Sequence, residues 1–145
     1  MTYLNLRSFR RELDAICKRT SNHKVDPTFI VFGQAELSDE LCSHIEAQGY
    51  ELYKNEESNV GDRSILMFGD VTLHRDTGIT PEGYRVMILP LRGQGCLQEV
   101  SDKDTIKEFS FNKYQAFVFD DNRLHCFFSK GDRKCVALAV FAMIK

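Results

Sequence analysis

The first fifty residues carry two apolar patterns of helical type, with a β-type run between them. Four apolar residues near the start recur at helical spacing: Leu6, Phe9, Leu13 and Ile16. This spacing predicts an amphipathic helix over residues 3–19. The β-branched and aromatic run at 28–32, closed by Gly33, predicts a strand. Ser38 has the chemistry of a helix N-cap and predicts a second helix that ends at Gly49.

From about residue 50 the pattern changes to short β-type runs separated by turn residues. The runs cover 50–54, 64–68, 71–76, 84–91, 95–100, 105–111, 116–120, 124–129 and 134–144. Repeated short strands at this spacing are typical of an antiparallel sandwich or barrel. The pattern therefore predicts two short helices with a strand between them, followed by an all-β body.

Composition narrows the class of protein. A chain of 145 residues with 43% apolar content predicts one globular domain with its own core. Nineteen basic and 21 acidic residues, a net charge of −2, give no electrostatic case for nucleic acid or an acidic membrane surface. The sequence shows neither a signal peptide nor an apolar run of membrane-spanning length. Five cysteines without a Cys-x-x-Cys pair favour reduced thiols, so we expect a cytoplasmic protein.

The strongest chemical signal is the triplet His74-Arg75-Asp76, followed far downstream by His125. On a strand, residues two apart share a face, so His74 and Asp76 should point the same way. His125 follows a turn and should begin another strand. Two histidines and one carboxylate on one face suit a non-haem Fe(II) site with open coordination positions. The alternative is that all three are ordinary rim residues.

The same triplet occurs in the catalytic loop of protein kinases, where an asparagine lies five residues after the aspartate. Here that position is Pro81, and the glycine-rich loop and the Asp-Phe-Gly motif of kinases are both missing. The sequence therefore excludes the kinase interpretation.

Arg133 stands at the head of the last run. The residues that should share a strand face with Arg133 are small or apolar: Cys135, Ala137, Ala139 and Phe141. The residues of the other strand face are apolar too, which predicts a central strand covered on both faces. An arginine at the mouth of such a strand can hold a carboxylate through a bidentate fork. The alternative is that Arg133 is a solvated charge in a turn and holds no ligand.

This order of residues (His-x-Asp, a distal His, then an Arg at the last strand) resembles the Fe(II)- and 2-oxoglutarate-dependent oxygenase superfamily. The resemblance implies an α+β, mainly β fold: a double-stranded β-helix, or jelly roll, with N-terminal helices packed outside. Residues 60–144 would form the β-helix core, and residues 1–55 would support it within the same domain. The activity implied is hydroxylation or demethylation of a small-molecule or protein substrate that the sequence does not identify.

The resemblance also implies roles for individual residues. His74, Asp76 and His125 would hold Fe(II). Arg133 would pair with the distal carboxylate of the co-substrate 2-oxoglutarate, and Tyr84 would donate a hydrogen bond to it.

Two departures from the family pattern keep other functions open. Cys135 stands where the family often has serine or threonine, and a thiol is a weaker hydrogen-bond donor than a hydroxyl. The chain is also short for the superfamily. One alternative is a cupin-like metalloprotein that does not use 2-oxoglutarate. The other is a non-catalytic jelly-roll module that binds a ligand or a protein.

We predict structural rather than chemical roles for the other histidines, an aspartate pair and the aromatic residues. We expect His23 and His44 on the surface and the pair Asp120-Asp121 in a solvated loop. The aromatic residues of the β region are predicted to form core: Phe109, Phe111, Phe117, Phe119, Phe127 and Phe128.

Overall fold

A computed structural model of the chain describes residues 3–21, 29–54, 62–131 and 134–145. Two short α-helices lie within this part, α1 at Arg10–Lys18 and α2 at Asp39–Ala47. The strands are β1 (Leu4–Asn5), β2 (Phe29–Gln34), β3 (Tyr50–Leu52), β4 (Ser64–Phe68), β5 (Val71–His74), β6 (Arg85–Arg92), β7 (Gln94–Val100), β8 (Ile106–Phe111), β9 (Gln115–Phe119), β10 (His125–Lys130) and β11 (Cys135–Ile144).

The strands form two antiparallel sheets. The larger sheet has the order β1-β9-β6-β11-β4-β2, with β3 also paired to β11, and the smaller has the order β5-β10-β7-β8. Strands β4 to β11 supply four members to each sheet, and each of the four strands in the smaller sheet has a sequence neighbour in the larger one. Eight strands in two such sheets form a jelly roll, the architecture of cupins among other proteins. The predicted mainly β jelly roll with helices outside is confirmed.

The N-terminal prediction is wrong in its detail. Instead of one helix over 3–19, the chain makes the short strand β1, a single turn of 3₁₀ helix at Arg7–Phe9, and then α1. Leu4 pairs with Ala116, and the Leu6 N–H donates to the Tyr114 carbonyl at 2.7 Å. These partners are distant in sequence, so the helical periodicity could not reveal them.

Strand β2 also differs from its prediction. It continues through Gly33, where the φ of 114° accompanies a shift of register against β4 rather than the end of the strand. The predicted first residue of this strand, Thr28, lies outside the described residues.

The predicted second helix is confirmed at its start. The Ser38 hydroxyl accepts the Leu41 N–H, and Glu12 of α1 accepts hydrogen bonds from both the backbone N–H and the hydroxyl of Ser38. This contact joins the two helices on the outer face of the larger sheet. Neither helix, nor any other in the described part of the chain, is long and apolar enough to cross a membrane.

The larger sheet separates two apolar clusters. The outer cluster combines α1 and α2 with Leu138, Val140 and their neighbours on one face of β11. The inner cluster lies between the sheets and is rich in phenylalanine. It contains the other face of β11, which is made by Cys135, Ala137, Ala139 and Phe141. The predicted alternation of this strand, apolar on both faces, is therefore confirmed.

Candidate metal centre and cavity

His74 and Asp76 lie where β5 ends and the chain turns away from the smaller sheet. His74 is the last residue of the strand, and Asp76 follows two residues later rather than inside the strand as predicted. The Asp76 N–H donates to the Asp121 carbonyl at 2.8 Å, which fixes the backbone at this point. His74 Nε2 lies 3.7 Å from Asp76 Oδ1, so the two side chains share a face.

His125 joins them from the adjacent strand. It is the first residue of β10 and pairs directly with His74 in the antiparallel register. The two imidazole rings are 4.3 Å apart between centroids, and His125 Nε2 lies 3.5 Å from Asp76 Oδ2. The structure thus brings together the three residues that the sequence singles out.

The donor atoms of this cluster suit a metal ion. One ligand atom from each of His74, Asp76 and His125 lies within 4.8 Å of the others. Two donors that are each about 2.1 Å from a first-row ion lie roughly 3.0–3.4 Å apart. The two histidine–carboxylate separations, 3.5 and 3.7 Å, exceed this range by a few tenths of an ångström.

Hydrogen bonds on the far side of each imidazole ring set its tautomer. His74 Nδ1 lies 2.7 Å from the Thr72 carbonyl, and His125 Nδ1 lies 2.8 Å from the Arg123 carbonyl. A carbonyl oxygen only accepts hydrogen bonds, so each Nδ1 must carry the proton. In the neutral ring Nε2 then has a free lone pair directed towards Asp76. Metal-binding histidines are commonly oriented in this way.

The cluster stands at the rim of the jelly roll. His125 is 5% exposed, whereas the side chains of His74 and Asp76 remain 37% and 36% exposed. One side of the cluster is therefore packed in protein, and the other side is open to an incoming molecule.

A second acid, Asp121, braces this rim. Its Oδ2 accepts the Thr80 hydroxyl at 2.5 Å, while its main-chain carbonyl accepts the Asp76 N–H. Asp121 is 3% exposed, and its Oδ1 has no hydrogen-bond partner among the described residues. Burial, reinforced by the nearby charge of Asp76, raises the pKa of Asp121, although the Thr80 hydroxyl opposes the shift. The prediction of a solvated loop is wrong for this residue.

A cavity of about 470 Å³ opens beside the cluster, between the two sheets. Seven of the residues that line it are phenylalanines. Its polar lining residues form one contiguous group around the three candidate ligands: Thr72, His74, Asp76, Thr80, Asp121 and His125. Among the described residues that line it, none is lysine, arginine or glutamate. The arrangement places an apolar chamber directly next to a group of metal-binding type.

The two residues predicted to contact 2-oxoglutarate are Arg133 and Tyr84. Arg133 lies outside the described residues, so its role stays a prediction. Tyr84 is described, but it does not line the cavity. Its ring packs edge-on against Tyr53, with centroids 5.1 Å apart, and Tyr53 in turn packs against Phe141. Tyr84 itself packs against the inner cluster without lining the cavity, and its contact with 2-oxoglutarate stays a prediction.

Cys135, the residue in the position of the usual hydroxyl, is fully buried. Its Sγ donates to the Gln94 carbonyl at 3.6 Å. Burial raises the pKa of Cys135 to about 11, so it remains a neutral thiol. It fills space between the sheets rather than presenting a strong donor.

The other structural predictions are corrected in part. Phe109, Phe111, Phe117, Phe119 and Phe127 are buried in the inner cluster, as expected, and all but Phe109 also line the cavity. Phe128, by contrast, is 52% exposed, because successive strand residues point to opposite faces. His44 is half-buried, with its ring 5.1 Å from that of Phe9. His23 lies outside the described residues.

Comparison with known proteins identifies structural resemblance only. No family model and no curated protein matches the chain. The crystal structure of AviO1 from Streptomyces viridochromogenes Tue57 aligns over 94% of this chain and 83% of that one, with 11% identity and a TM-score of 0.48. An RmlC-like cupin protein from Desulfovibrio desulfuricans aligns over 81% of this chain and 97% of that one, with 15% identity and a TM-score of 0.37. The strand order itself establishes a cupin-like jelly roll, and the cluster of His74, Asp76 and His125 is its candidate metal site.

Proposed function

We propose that this protein is an Fe(II)- and 2-oxoglutarate-dependent oxygenase that hydroxylates or demethylates a substrate not yet identified. The observation that carries the proposal is the convergence of His74, Asp76 and His125 at the open rim. Two imidazoles and one carboxylate on a single face leave the opposite coordination positions free, as non-haem Fe(II) oxygenases require. When bound, Fe(II) would supply Lewis-acid and redox chemistry with room for 2-oxoglutarate and O2.

The chain's own residues have separate tasks in this proposal. His74 and His125 would bind through Nε2, each ring held by its Nδ1–H bond to a main-chain carbonyl. Asp76 would contribute the charge that partly balances a divalent cation. Thr80 and Asp121 hold the turn on which Asp76 stands. The apolar cavity would exclude water from the reacting end of the substrate.

The co-substrate part of the proposal depends on Arg133. In the sequence, Arg133 stands two residues before Cys135, the first residue of β11, and Cys135, Ala137 and Ala139 belong to the inner cluster; Arg133 itself lies outside the described residues, so its position here is a sequence-based expectation. An arginine at that position suits the distal carboxylate of 2-oxoglutarate, because its planar guanidinium can donate two parallel hydrogen bonds.

A cupin-like metalloprotein that does not use 2-oxoglutarate is the second candidate. One observation favours it: Cys135, which stands where the family often has a serine or threonine hydroxyl, is a buried neutral thiol whose Sγ donates to the Gln94 carbonyl. Both candidates need His74, Asp76 and His125, but only the first needs Arg133.

The test is an anaerobic titration of the purified protein with Fe(II) and then with 2-oxoglutarate. We expect stoichiometric Fe(II) binding, a weak visible charge-transfer band on addition of 2-oxoglutarate, and succinate formation when O2 is admitted. Asp76→Ala should abolish all three signals. Asp102→Ala is the matched control, because it removes an aspartate whose side chain is 89% exposed and which does not line the cavity.

Arg133→Ala separates the two candidates. Loss of the charge-transfer band with Fe(II) binding retained supports the oxygenase. Fe(II) binding without any effect of 2-oxoglutarate in the wild-type protein would instead favour the second candidate. Failure of the wild-type protein to bind Fe(II) or Mn(II) would contradict both and leave a non-catalytic binding module.

A further inference from the structure

We infer that the cavity between the sheets binds an uncharged, predominantly apolar small molecule, whose polar or reacting end lies against the His74-Asp76-His125 cluster. The reaction of this molecule rests on the proposed function, but its binding does not, because the apolar walls require no metal. The inference names the class of substrate: a ring-containing or aliphatic compound rather than a sugar, a nucleotide or a charged peptide.

The shape of the cavity is the first argument. Small-molecule sites commonly enclose about 300–1,000 Å³, and this cavity of about 470 Å³ lies within that range. Its phenylalanine rings support one another. Phe68 meets Phe111 and Phe127 edge to face, with centroids 5.7 and 4.9 Å apart, and Phe111 meets Phe127 in the same way at 5.3 Å. Such contacts hold the rings in place, so the chamber is formed before a ligand enters.

Small residues of the surrounding strands keep this space open. Ala139, on the inner face of β11, lines the cavity with a single methyl group. Gly95 lets the Phe127 ring pack close to β7, since a Cβ at this glycine would lie 2.4 Å from the tip of that ring. Larger residues at either position would fill or distort the chamber.

The distribution of charge is the second argument. The described lining has no lysine, arginine or glutamate, and its two aspartates, Asp76 and Asp121, lie within the polar group at the rim. A charged group placed among the phenylalanine rings would lose its hydration and gain no partner from the described apolar lining. The apolar part of a ligand therefore belongs on the rings, and its polar end belongs at the rim.

The entrance is the third argument. Phe29, Val31 and Ile79 line the cavity yet remain 52%, 46% and 48% exposed. Phe29 and Val31 lie on β2, the edge strand of the larger sheet. Exposed apolar side chains that continue into an apolar chamber mark a route for an apolar ligand.

The test uses two fluorophores that differ by one charged group: neutral N-phenyl-1-naphthylamine and its 8-sulfonate. Each is titrated into metal-free protein. We expect saturable binding of the neutral probe at one site and at least about tenfold weaker binding of the sulfonate. Absence of saturable binding of the neutral probe, or equal or tighter binding of the sulfonate, would overturn the inference.

Variants locate the site. Ala139→Leu should fill the chamber and reduce the affinity for the neutral probe at least about tenfold. Because this buried change can impair folding, Ile79→Asp at the exposed entrance provides a second variant, with an expected loss of about fivefold. Ile106→Asp is its matched control, since Ile106 is 61% exposed and does not line the cavity. An equal loss in Ile106→Asp would mean surface adsorption and would contradict the inference.

The metal titration and the probe titration test separate claims, and either claim can be wrong while the other holds. Fe(II) binding without probe binding would leave the proposed function standing and remove the substrate class. Probe binding without Fe(II) binding would support the apolar site and remove the proposed function.

Discussion

The two faces of the larger sheet are both buried, yet they are filled in different ways. The outer face packs aliphatic side chains against α1 and α2, and Leu13, Leu41, Ile45 and Leu138 have no exposed surface. The inner face combines phenylalanine rings with the small residues Cys135, Ala137 and Ala139. Space remains beside Ala139, and the three candidate ligands stand at its opening.

This difference separates stability from binding within one strand. Alternate residues of β11 face the filled side and the open side, so neighbouring positions should respond to mutation in different ways. A change on the filled side should lower the free energy of unfolding and leave metal affinity intact. A change at the open rim, among the candidate ligands, should lower metal affinity and have little effect on the free energy of unfolding.

The largest effect is expected at the open rim. Asp76→Ala removes one of three candidate ligands and the only carboxylate among them. Metal affinity should fall by more than the roughly 10–100-fold that loss of an outer-shell partner causes. Calorimetric titration with Mn(II) measures the loss, and urea denaturation of the metal-free variant should give nearly the wild-type midpoint. Retention of full metal affinity would contradict the role of Asp76.

On the filled face, Leu138→Ala should lower the free energy of unfolding by about 2–5 kcal/mol. Leu138 is fully buried between Ile65 and Leu89 on the neighbouring strands, so the deletion leaves a void that helices and sheet cannot close. Urea denaturation gives this value. If the folded variant also lost metal affinity, the two faces would not be independent.

A smaller effect should follow from removing the hydrogen bond between Thr80 and Asp121, which braces the rim. Thr80→Val keeps the shape of the side chain but removes the hydroxyl that donates to Asp121. The turn that carries Asp76 should become less well held, and Mn(II) affinity should fall about tenfold. Thr80→Ser, which restores the hydroxyl, should recover it.

The chain offers a matched control for this brace at the other end of the same strand pair. There Asp70 Oδ1 accepts both the N–H and the hydroxyl of Ser129, at 2.8 and 3.0 Å. Asp70→Ala breaks a similar link between β5 and β10 but lies away from the ligands. It should leave Mn(II) affinity unchanged; an equal loss in both variants would mean that the strand pair, not the brace, sets the affinity.

The smallest effect concerns the dependence of stability on pH. Phe141 lies between the parts of β11 that pair with β4 and β3, and its N–H donates to Asp62 Oδ1 at 3.1 Å. Burial raises the pKa of Asp62 above its usual 3.8, although the Phe141 N–H opposes the shift.

The sign of the effect follows from proton binding. Between pH 3.8 and the folded pKa, the native state binds more protons than the unfolded state, so this group's contribution to stability falls as pH rises. Asp62→Asn can still accept the Phe141 N–H and should show a smaller decline. Urea denaturation from acid to neutral pH measures both proteins. Identical slopes would show that Asp62 does not titrate in this way.

Much of the fold was predictable because its signals are local. The strands after residue 50 alternate between apolar clusters and end at turn residues, and β4 matches its predicted limits. The proximity of His74 and Asp76 was predicted from the period of a strand, but Asp76 lies two residues beyond the end of β5, where its N–H bond to the Asp121 carbonyl fixes its backbone. His125 was singled out as the third partner because it follows a turn and should begin a strand, and it is the first residue of β10.

The predictions that the structure corrects involve residues whose partners are distant in sequence. Leu4 and Asn5 pair with β9 instead of extending a helix, and Asp121 is buried because Thr80 reaches it across the rim. Periodicity does not encode such contacts, nor does it give the volume left between two sheets.

The most direct test of the proposed metal site is anomalous diffraction at the iron edge from crystals grown anaerobically with Fe(II). The proposal predicts one anomalous peak within coordination distance of His74 Nε2, His125 Nε2 and an Asp76 carboxylate oxygen, at the mouth of the apolar cavity. A peak at any other position, or none in crystals soaked to saturation, would contradict it.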